Sequence, residues 1–393
     1  MTLARIALVA AGLWASAALA EDVSPFAPPP PPPPKIVRLL APAAMFDLTA
    51  LQAFEAESGY QVAYDAYEGA LDLAAKWREG PYDLVVLSGP ALAREIVAGE
   101  LAPLDKTRLA NASGVRPAAL AKLAAYDLGG AYALPLGWYA TGLVYDADKA
   151  AKRIGGAPAS WNALFNPADA RKMADCGVVL PDDRDALFVA AWRLLGVDPA
   201  RAAPAQVKSA SALIDRSRKT ARAFPAADVA SALASGAACL SLGDAGEAEA
   251  AKARSREGGV GADIRFALPK EGGGLAIEAY AVPRDATHSE QAHALLDFLL
   301  RPEISRRNAE AARLVDPEDA NQDAPLARLS PQGVYDSHVA PLVQTEWESL
   351  VTGKAEASPA KAEASPPSKS GGRTPPAHVK AQGPNLKKLR KLR

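Results

Sequence analysis

Residues 35–67, KIVRLLAPAAMFDLTALQAFEAESGYQVAYDAY, decide the fold. Their first eight residues read as a strand buried on both faces, because the apolar side chains run on without alternation. In DLTALQAFEAESG, Leu48, Leu51 and Phe54 fall on one helical face, with Asp47 placed to cap the helix and Gly59 to stop it. YQVAYDAY returns to strand. A second unit follows at once, in which YDLVVLSG (82–89) is a strand and ALAREIVAGE (91–100) a helix. Much later, SEQAHALLDFLLRP (289–302) places Ala292, Leu295, Leu296 and Leu299 at i, i+3, i+4 and i+7, with Ser289 as cap and Pro302 as terminator. The alternation predicts an α/β protein of mostly parallel sheets flanked by helices, with a ligand at the carboxyl ends of strands. The roughly 315 residues between the chain ends are enough for two lobes rather than one.

The ends differ in kind from this body. In residues 1–20, Arg5 precedes the apolar run Ile6 to Leu13, and Ala18-Leu19-Ala20 has the small-x-small form of a cleavage site. This predicts a secretory signal peptide and an exported, periplasmic protein. No cysteine follows the cleavage site, and no segment reaches the roughly 20 apolar residues of a membrane helix. Residues 21–35 hold a polyproline run, which reads as a stiff spacer. Residues 353–393 carry ten Lys/Arg against Glu356 and Glu363 and end in NLKKLRKLR. That composition predicts a disordered basic tail able to touch an anionic surface, or one that is simply solvated. The whole chain has a formal charge of −1, so the body between the tails is acidic, which suits a cationic partner.

Several chemistries lack their residues. GGGL at 272–275 has neither the lysine nor the spacing of a phosphate loop. His288, His293, His338 and His378 are scattered; the first two lie five apart on a helix and face different ways, so they predict solvated side chains and no metal pair. Ser88 follows a strand as a nucleophile would, but no partner base is recognisable, so no enzyme, cofactor or metal is expected. Cys176 and Cys239 are the only cysteines. In an exported chain such a pair reads as a structural disulfide, with free buried thiols as the alternative. In DCGVVLPDDRDALF (175–188), Asp182, Asp183 and Asp185 follow a short strand and lack the ligand run of a calcium loop.

The order of segments resembles the periplasmic polyamine-binding proteins, the putrescine and spermidine receptors of ABC importers, over residues 36–350. The resemblance is carried by FEAESGYQVAYDAYEG, YDLVVLSG, LAPLDKTRL, YALPLGWYATGLVYDADKA, PASWNALFNP, CGVVLPDD, FALPKEGGGLAIEAYAVPRDA and ALLDFLLRPEIS in that order. It implies a two-lobed periplasmic-binding-protein fold of type II, each lobe a mixed, mostly parallel sheet flanked by helices. Lobe 1 would comprise 36–140 and 274–315, and lobe 2 141–273 and 316–352. It further implies a receptor that closes by a hinge on a small cation and delivers it to an ABC permease in the inner membrane; a monomer is expected. Two cysteines in matching segments of the putrescine branch support the Cys176–Cys239 bridge.

The resemblance also implies site residues. Glu278 stands at the position of a family aspartate and Glu247 at another, each one methylene longer. Asp185 falls beside the family's acidic residue and is expected to face the ligand, with Asp183 near it. Ser88 matches a strand-end serine. Trp138, with Tyr139, lies in the crossover segment. The family's aromatic walls are replaced: Pro42 and Met45 stand where a tryptophan and a tyrosine would, Asp244 takes a pocket tryptophan's place, a tyrosine near Leu314 is missing, and Ala276 and Ile277 are not aromatic. A desolvated cation–π contact is worth about 0.5–2 kcal/mol, so four losses imply a rebuilt pocket or lost polyamine affinity. In the latter case the alternative is a receptor-fold scaffold acting through its proline-rich and basic ends.

Overall fold

The chain is described from a computed structural model, which places residues 35–226, 228–336 and 338–356. The expected signal peptide, nearly all of the spacer and most of the basic tail lie outside the described residues. A last helix, Ala340–Glu356, carries regular backbone four residues into the segment expected to be tail.

Among the described residues twelve strands form two sheets. The first contains β1 (Lys35–Pro42), β2 (Tyr60–Tyr67), β3 (Leu84–Ser88), β4 (Leu101–Ala102), β5 (Ala133–Ala140), β11 (Gly273–Pro283) and β12 (Leu329–Pro331). The second contains β6 (Gly142–Asp146), β7 (Val178–Pro181), β8 (Ala223–Ala226), β9 (Leu240–Gly243) and β10 (Ile264–Ala267), in the order β10-β6-β9-β7-β8. In each sheet the early strand–helix units pair in parallel, as β1 does with β2 and β3, and β7 with β8 and β9. The strands that carry the chain between sheets run mostly against their neighbours: β11 is antiparallel to β3, β4 and β5, and β6 to β9 and β10, while β12 is parallel to β11. Antiparallel pairing is therefore more frequent than the alternation predicts, because a chain that crosses and returns must reverse direction.

The opening stretch folds as its pattern dictates. Asp47 caps the helix Leu48–Ser58 by accepting from the Thr49 N–H at 2.9 Å, and Gly59 ends it in the left-handed region at φ 71°. Leu51 and Phe54 are buried, whereas Leu48 is 58% exposed and takes no part in the core. The later helix runs Ser289–Leu299 with His288 rather than Ser289 at its cap position, and Pro302 opens a further helix, Pro302–Ala312, at its first turn. His293 is buried, not solvated: its Nε2 accepts from the Asp105 N–H at 2.9 Å and its Nδ1 lies 2.7 Å from the Ser289 carbonyl.

Each sheet has its own core. Leu39, Leu40, Leu84, Leu87 and Leu92 are wholly buried in the first lobe, and Trp161, Phe188, Trp192 and Leu240 in the second. The helix Arg184–Leu194 is buried from Ala186 to Trp192 because it is enclosed between its sheet and the helices around it. Cys176 and Cys239 are bonded, tying the segments that enter β7 and β9 across 63 residues. A loop of that length predicts about 4 kcal/mol from chain entropy. Reduction, or Cys176→Ser with Cys239→Ser, should lower unfolding stability by about 2–4 kcal/mol; equal urea midpoints with and without reductant would contradict this.

Three strands of chain meet where the lobes join. β5 passes through Thr141 into β6; β10 returns through Gly273 into β11; and β12 leaves through Gln332. Thr141 N–H donates to the Gly274 carbonyl at 2.9 Å, Gly274 N–H donates to Thr141 Oγ1 at 2.9 Å, and Gln332 N–H donates to the Leu275 carbonyl at 3.0 Å. A Cβ on Gly273 would lie 2.0 Å from the Thr141 carbonyl oxygen, and one on Gly274 2.6 Å from Thr141 Oγ1. The glycines at 273 and 274 thus serve the close approach of crossing strands. Because β12 pairs with β11 in the first sheet, the third crossing falls after Pro331 and not at the expected 315/316 boundary.

Candidate functional site

Two adjoining cavities of about 470 and 240 Å³ open between the lobes and share Tyr139, Val229, Asp244 and Glu247. The first lobe contributes Met45, Glu278, Ala312, Arg313 and Leu314 to the larger; the second lobe contributes Gly246, Ala250 and Arg254. Asp182 and Asp183 line the smaller. A hollow of comparable size beside Lys106 and Leu134 is lined otherwise by alanine, leucine and glycine and holds no carboxylate. Another of about 470 Å³ carries Glu95 and Glu100 but also Arg78 and Arg94, with Arg94 paired to Glu95 at 3.0 Å, whereas the interlobe cavities gather carboxylates from both lobes.

Glu278 lies on β11, directly opposite Ser88 on β3 and Gly137 on β5, so it shares a sheet face with both. Its Oε2 is buried without a hydrogen-bond partner. Burial alone pushes its carboxyl up to about 8. Tyr67 and Tyr126 lie beneath it: each phenol is raised by burial and then by nearby carboxylate charge, Glu278 included, while their hydroxyls donate to the Val86 carbonyl at 3.0 Å and the Gln332 carbonyl at 2.6 Å.

Asp244 and Glu247 belong to the second lobe and cap the helix Ala245–Glu257 reciprocally. Glu247 N–H donates to Asp244 Oδ1 at 2.9 Å and Asp244 N–H to Glu247 Oε2 at 3.2 Å. The D-x-x-E spacing after a strand is the signal for this box. Burial, then the Asp244 charge, pushes Glu247 up to about 7; burial also raises Asp244, against its helix-end hydrogen bonds. Asp183 caps the helix Arg184–Leu194, accepting from the Ala186 N–H at 2.9 Å, and burial raises its carboxyl too. Tyr139 ties these groups together. After burial, the charges that hold its phenol high are those of Glu278, Asp244, Asp183 and Glu247, so carboxylates from both lobes act on one ring.

The expected residues divide accordingly. Asp183, Asp244, Glu247 and Glu278 line the cavities, and Ser88 adjoins Glu278 without making a capping hydrogen bond to its own helix. Asp185 does not line either cavity: its Oδ1 accepts from Arg184 Nε at 2.7 Å, and it abuts Tyr335. It sits two residues past the cap, about 200° around the helix from Asp183. Trp138 is only 2% exposed and packs in the first core, where its backbone pairs with Val315 through bonds of 3.2 and 2.7 Å. Alternation along β5 turns Tyr139, not Trp138, to the cleft. Arg313 was not anticipated. It ends the helix Pro302–Ala312 at φ 57°, and its Nη1 reaches across the cleft to the Gly246 carbonyl at 3.2 Å. A non-glycine residue with positive φ in a helix cap gives no sequence signal. Among the described residues no group of three His, Cys, Asp or Glu is arranged to hold a metal ion.

Known proteins share both the sequence and this architecture. The family profile of the bacterial extracellular solute-binding proteins matches residues 49–329. The chain is 34% identical over 258 residues to the putrescine-binding periplasmic protein SpuD of Pseudomonas aeruginosa, covering 65% of this chain and 70% of that one. It is 33% identical over 256 residues to the putrescine-binding periplasmic protein PotF of Escherichia coli, covering 64% and 69%. The crystal structure of the spermidine/putrescine ABC transporter substrate-binding protein PotD of Streptococcus pneumoniae superposes with a TM-score of 0.70 at 17% identity, over 81% of this chain and 99% of that one. That likeness fixes the two-lobed periplasmic-binding-protein fold. With the profile running through both sheets and the strands that join them, the chain belongs to the bacterial extracellular solute-binding proteins.

Proposed function

We propose that this protein is a periplasmic receptor that captures a small aliphatic amine or guanidine cation between its lobes by hinge closure and presents it to the permease of an ABC importer. The observation that carries the reading is that Glu278, Asp244 and Glu247 line the larger cavity with Tyr139, and Asp183 the adjoining one, with Glu278 Oε2 left unpartnered. Buried carboxylates are costly unless a positive charge joins them. A cavity of about 470 Å³ suits a small solute. Two relatives are named as putrescine-binding periplasmic proteins, which supports an amine over other cations. Among the described residues no helix is long and apolar enough to cross a membrane. In this reading residues 1–20 are removed on export, the receptor acts as a monomer, and the basic 353–393 segment is a candidate contact for an anionic surface.

The wall of the cleft differs from an aromatic box. Met45, Leu314 and Ala312 stand beside Tyr139, so packing against a methylene chain falls to aliphatic side chains. Calorimetry of the ligand-stripped protein with putrescine, spermidine, agmatine, lysine and arginine tests the proposal. At least one should release heat and raise the melting temperature, since a ligand at a hundred times its Kd adds about 2.7 kcal/mol to the folded state. No response to any of them at millimolar concentration would refute it.

A further inference from the structure

The larger cavity is electrically asymmetric. At Glu278 no side-chain cation offsets the burial that raises its carboxyl. At the other side, where the helix Ala245–Glu257 begins, the Arg313 guanidinium already acts on Asp244 and hydrogen-bonds the Gly246 carbonyl. Arg254, the other cation of this lining, is engaged by Asp228 Oδ1 and Oδ2 at 3.2 and 3.3 Å and by Ser231 at 3.0 Å. Arg313, exposed at the rim of the cavity, therefore supplies the protein's own positive charge at one end of the cleft, while the other end has none among the described residues.

Its backbone points the same way. Arg313 holds φ 57° at the C-cap, with its N–H bonded to the Ala309 and Glu310 carbonyls. That position favours glycine, and a side chain there is disfavoured. Ala44, at φ 58°, is the other non-glycine residue of positive φ among those described, and it precedes the cavity-lining Met45. Strain of this kind collects at ligand sites.

We infer that Arg313 sets the specificity of the cleft: its guanidinium holds the place of a second ligand ammonium, so the preferred solute has one cationic end, seated at Glu278, and a hydrogen-bond acceptor at the other. The inference rests on the proposed cation-receptor reading and narrows its solute class. A second ammonium near the Arg313 guanidinium is repelled; at an effective dielectric of about 20 and a separation of several ångströms, less the screening of an exposed side chain, this costs about tenfold in affinity. A hydroxyl or carboxylate in the same place accepts from Arg313 instead.

The test uses three four-carbon amines that differ only at the far end: 1,4-diaminobutane, 4-aminobutan-1-ol and 4-aminobutanoate. Each is titrated calorimetrically into the wild type, Arg313→Gly and Arg313→Lys. The wild type should bind an acceptor-ended amine at least tenfold more tightly than the diamine. Arg313→Gly, which suits the left-handed backbone and should melt within a few degrees of the wild type, should reverse that order, and Arg313→Lys should keep it. A wild type that prefers the diamine, or an order unchanged in Arg313→Gly, overturns the inference and leaves the cation receptor standing. Absence of binding by all three amines in all three proteins, together with silence in the wider panel above, overturns both.

Discussion

Glu278→Gln should melt at a higher temperature than the wild-type protein at pH 9, and it should no longer be stabilised by organic cations. The two effects share one cause. The Glu278 carboxyl is raised from 4.5 to about 8 by burial, and Oε2 has no partner. The sign follows from linkage. The folded chain keeps a proton that the unfolded chain gives up, so stability is greatest below the unfolded value near 4.5 and falls as pH rises toward 8. A raised pKa of that size corresponds to a penalty of up to about 5 kcal/mol above pH 8. Because the side chain opens partly to the cleft, about 2–4 kcal/mol is the expected share. Gln fills the same volume without a charge to bury, so the penalty disappears. At pH 5 the wild-type carboxyl is protonated and the two melting temperatures should nearly coincide, which separates this effect from altered packing. For binding, removing one partner of a desolvated charge pair costs about 2–5 kcal/mol, or about 30- to 5,000-fold. Scanning calorimetry at pH 5 and pH 9, with and without a cation that the wild type binds, reads both effects. A variant that melts below the wild type at pH 9, or still gains stability from that cation, would show that Glu278 is not the ligand's counter-charge.

What the sequence discloses depends on the range of the interaction. The first helix was legible to its ends because Asp47 and Gly59 act on their own neighbours. The strand–helix alternation was legible because each unit buries its own apolar face. The return strands were not, since the antiparallel pairing of β11 with β3 joins residues 278 and 88, far apart in the chain. The same limit governs the site. Asp244 and Glu247 form a local D-x-x-E box, and both face the cleft. Asp183 and Asp185 differ by two residues, and Trp138 and Tyr139 by one, yet only one of each pair lines a cavity. A side chain's direction there is set by where the strand ends or the helix begins, and a one-residue slip reverses it. Arg313 was invisible because its role depends on Gly246, which lies on the other lobe.

Affinity for a cation should fall steeply as pH drops from 8.5 to 6, unlike that of a site built on ordinary carboxylates, which would be flat over this range. In the empty cleft Glu278 titrates near 8 and Glu247 near 7, with burial the largest cause for both and the Asp244 charge next for Glu247. Asp183 and Asp244 are raised as well, the latter opposed by Arg313. A bound ammonium favours the ionised carboxylate, so binding must expel whatever proton is present. Below its pKa each such group lowers affinity by up to tenfold per pH unit. Glu278 alone therefore predicts a loss of about 100-fold between pH 8.5 and 6, and Glu247 adds up to about tenfold. At pH 7 close to one proton should leave Glu278 for each cation bound, and at pH 9 almost none. Calorimetry at pH 7 in two buffers of different ionisation enthalpy measures that number directly. Tyr139 is not a competing source, because its phenol is raised well beyond this window by burial and by the same four carboxylates. Constant affinity from pH 6 to 8.5 with no proton released would mean that a bound cation is held by something other than these side chains.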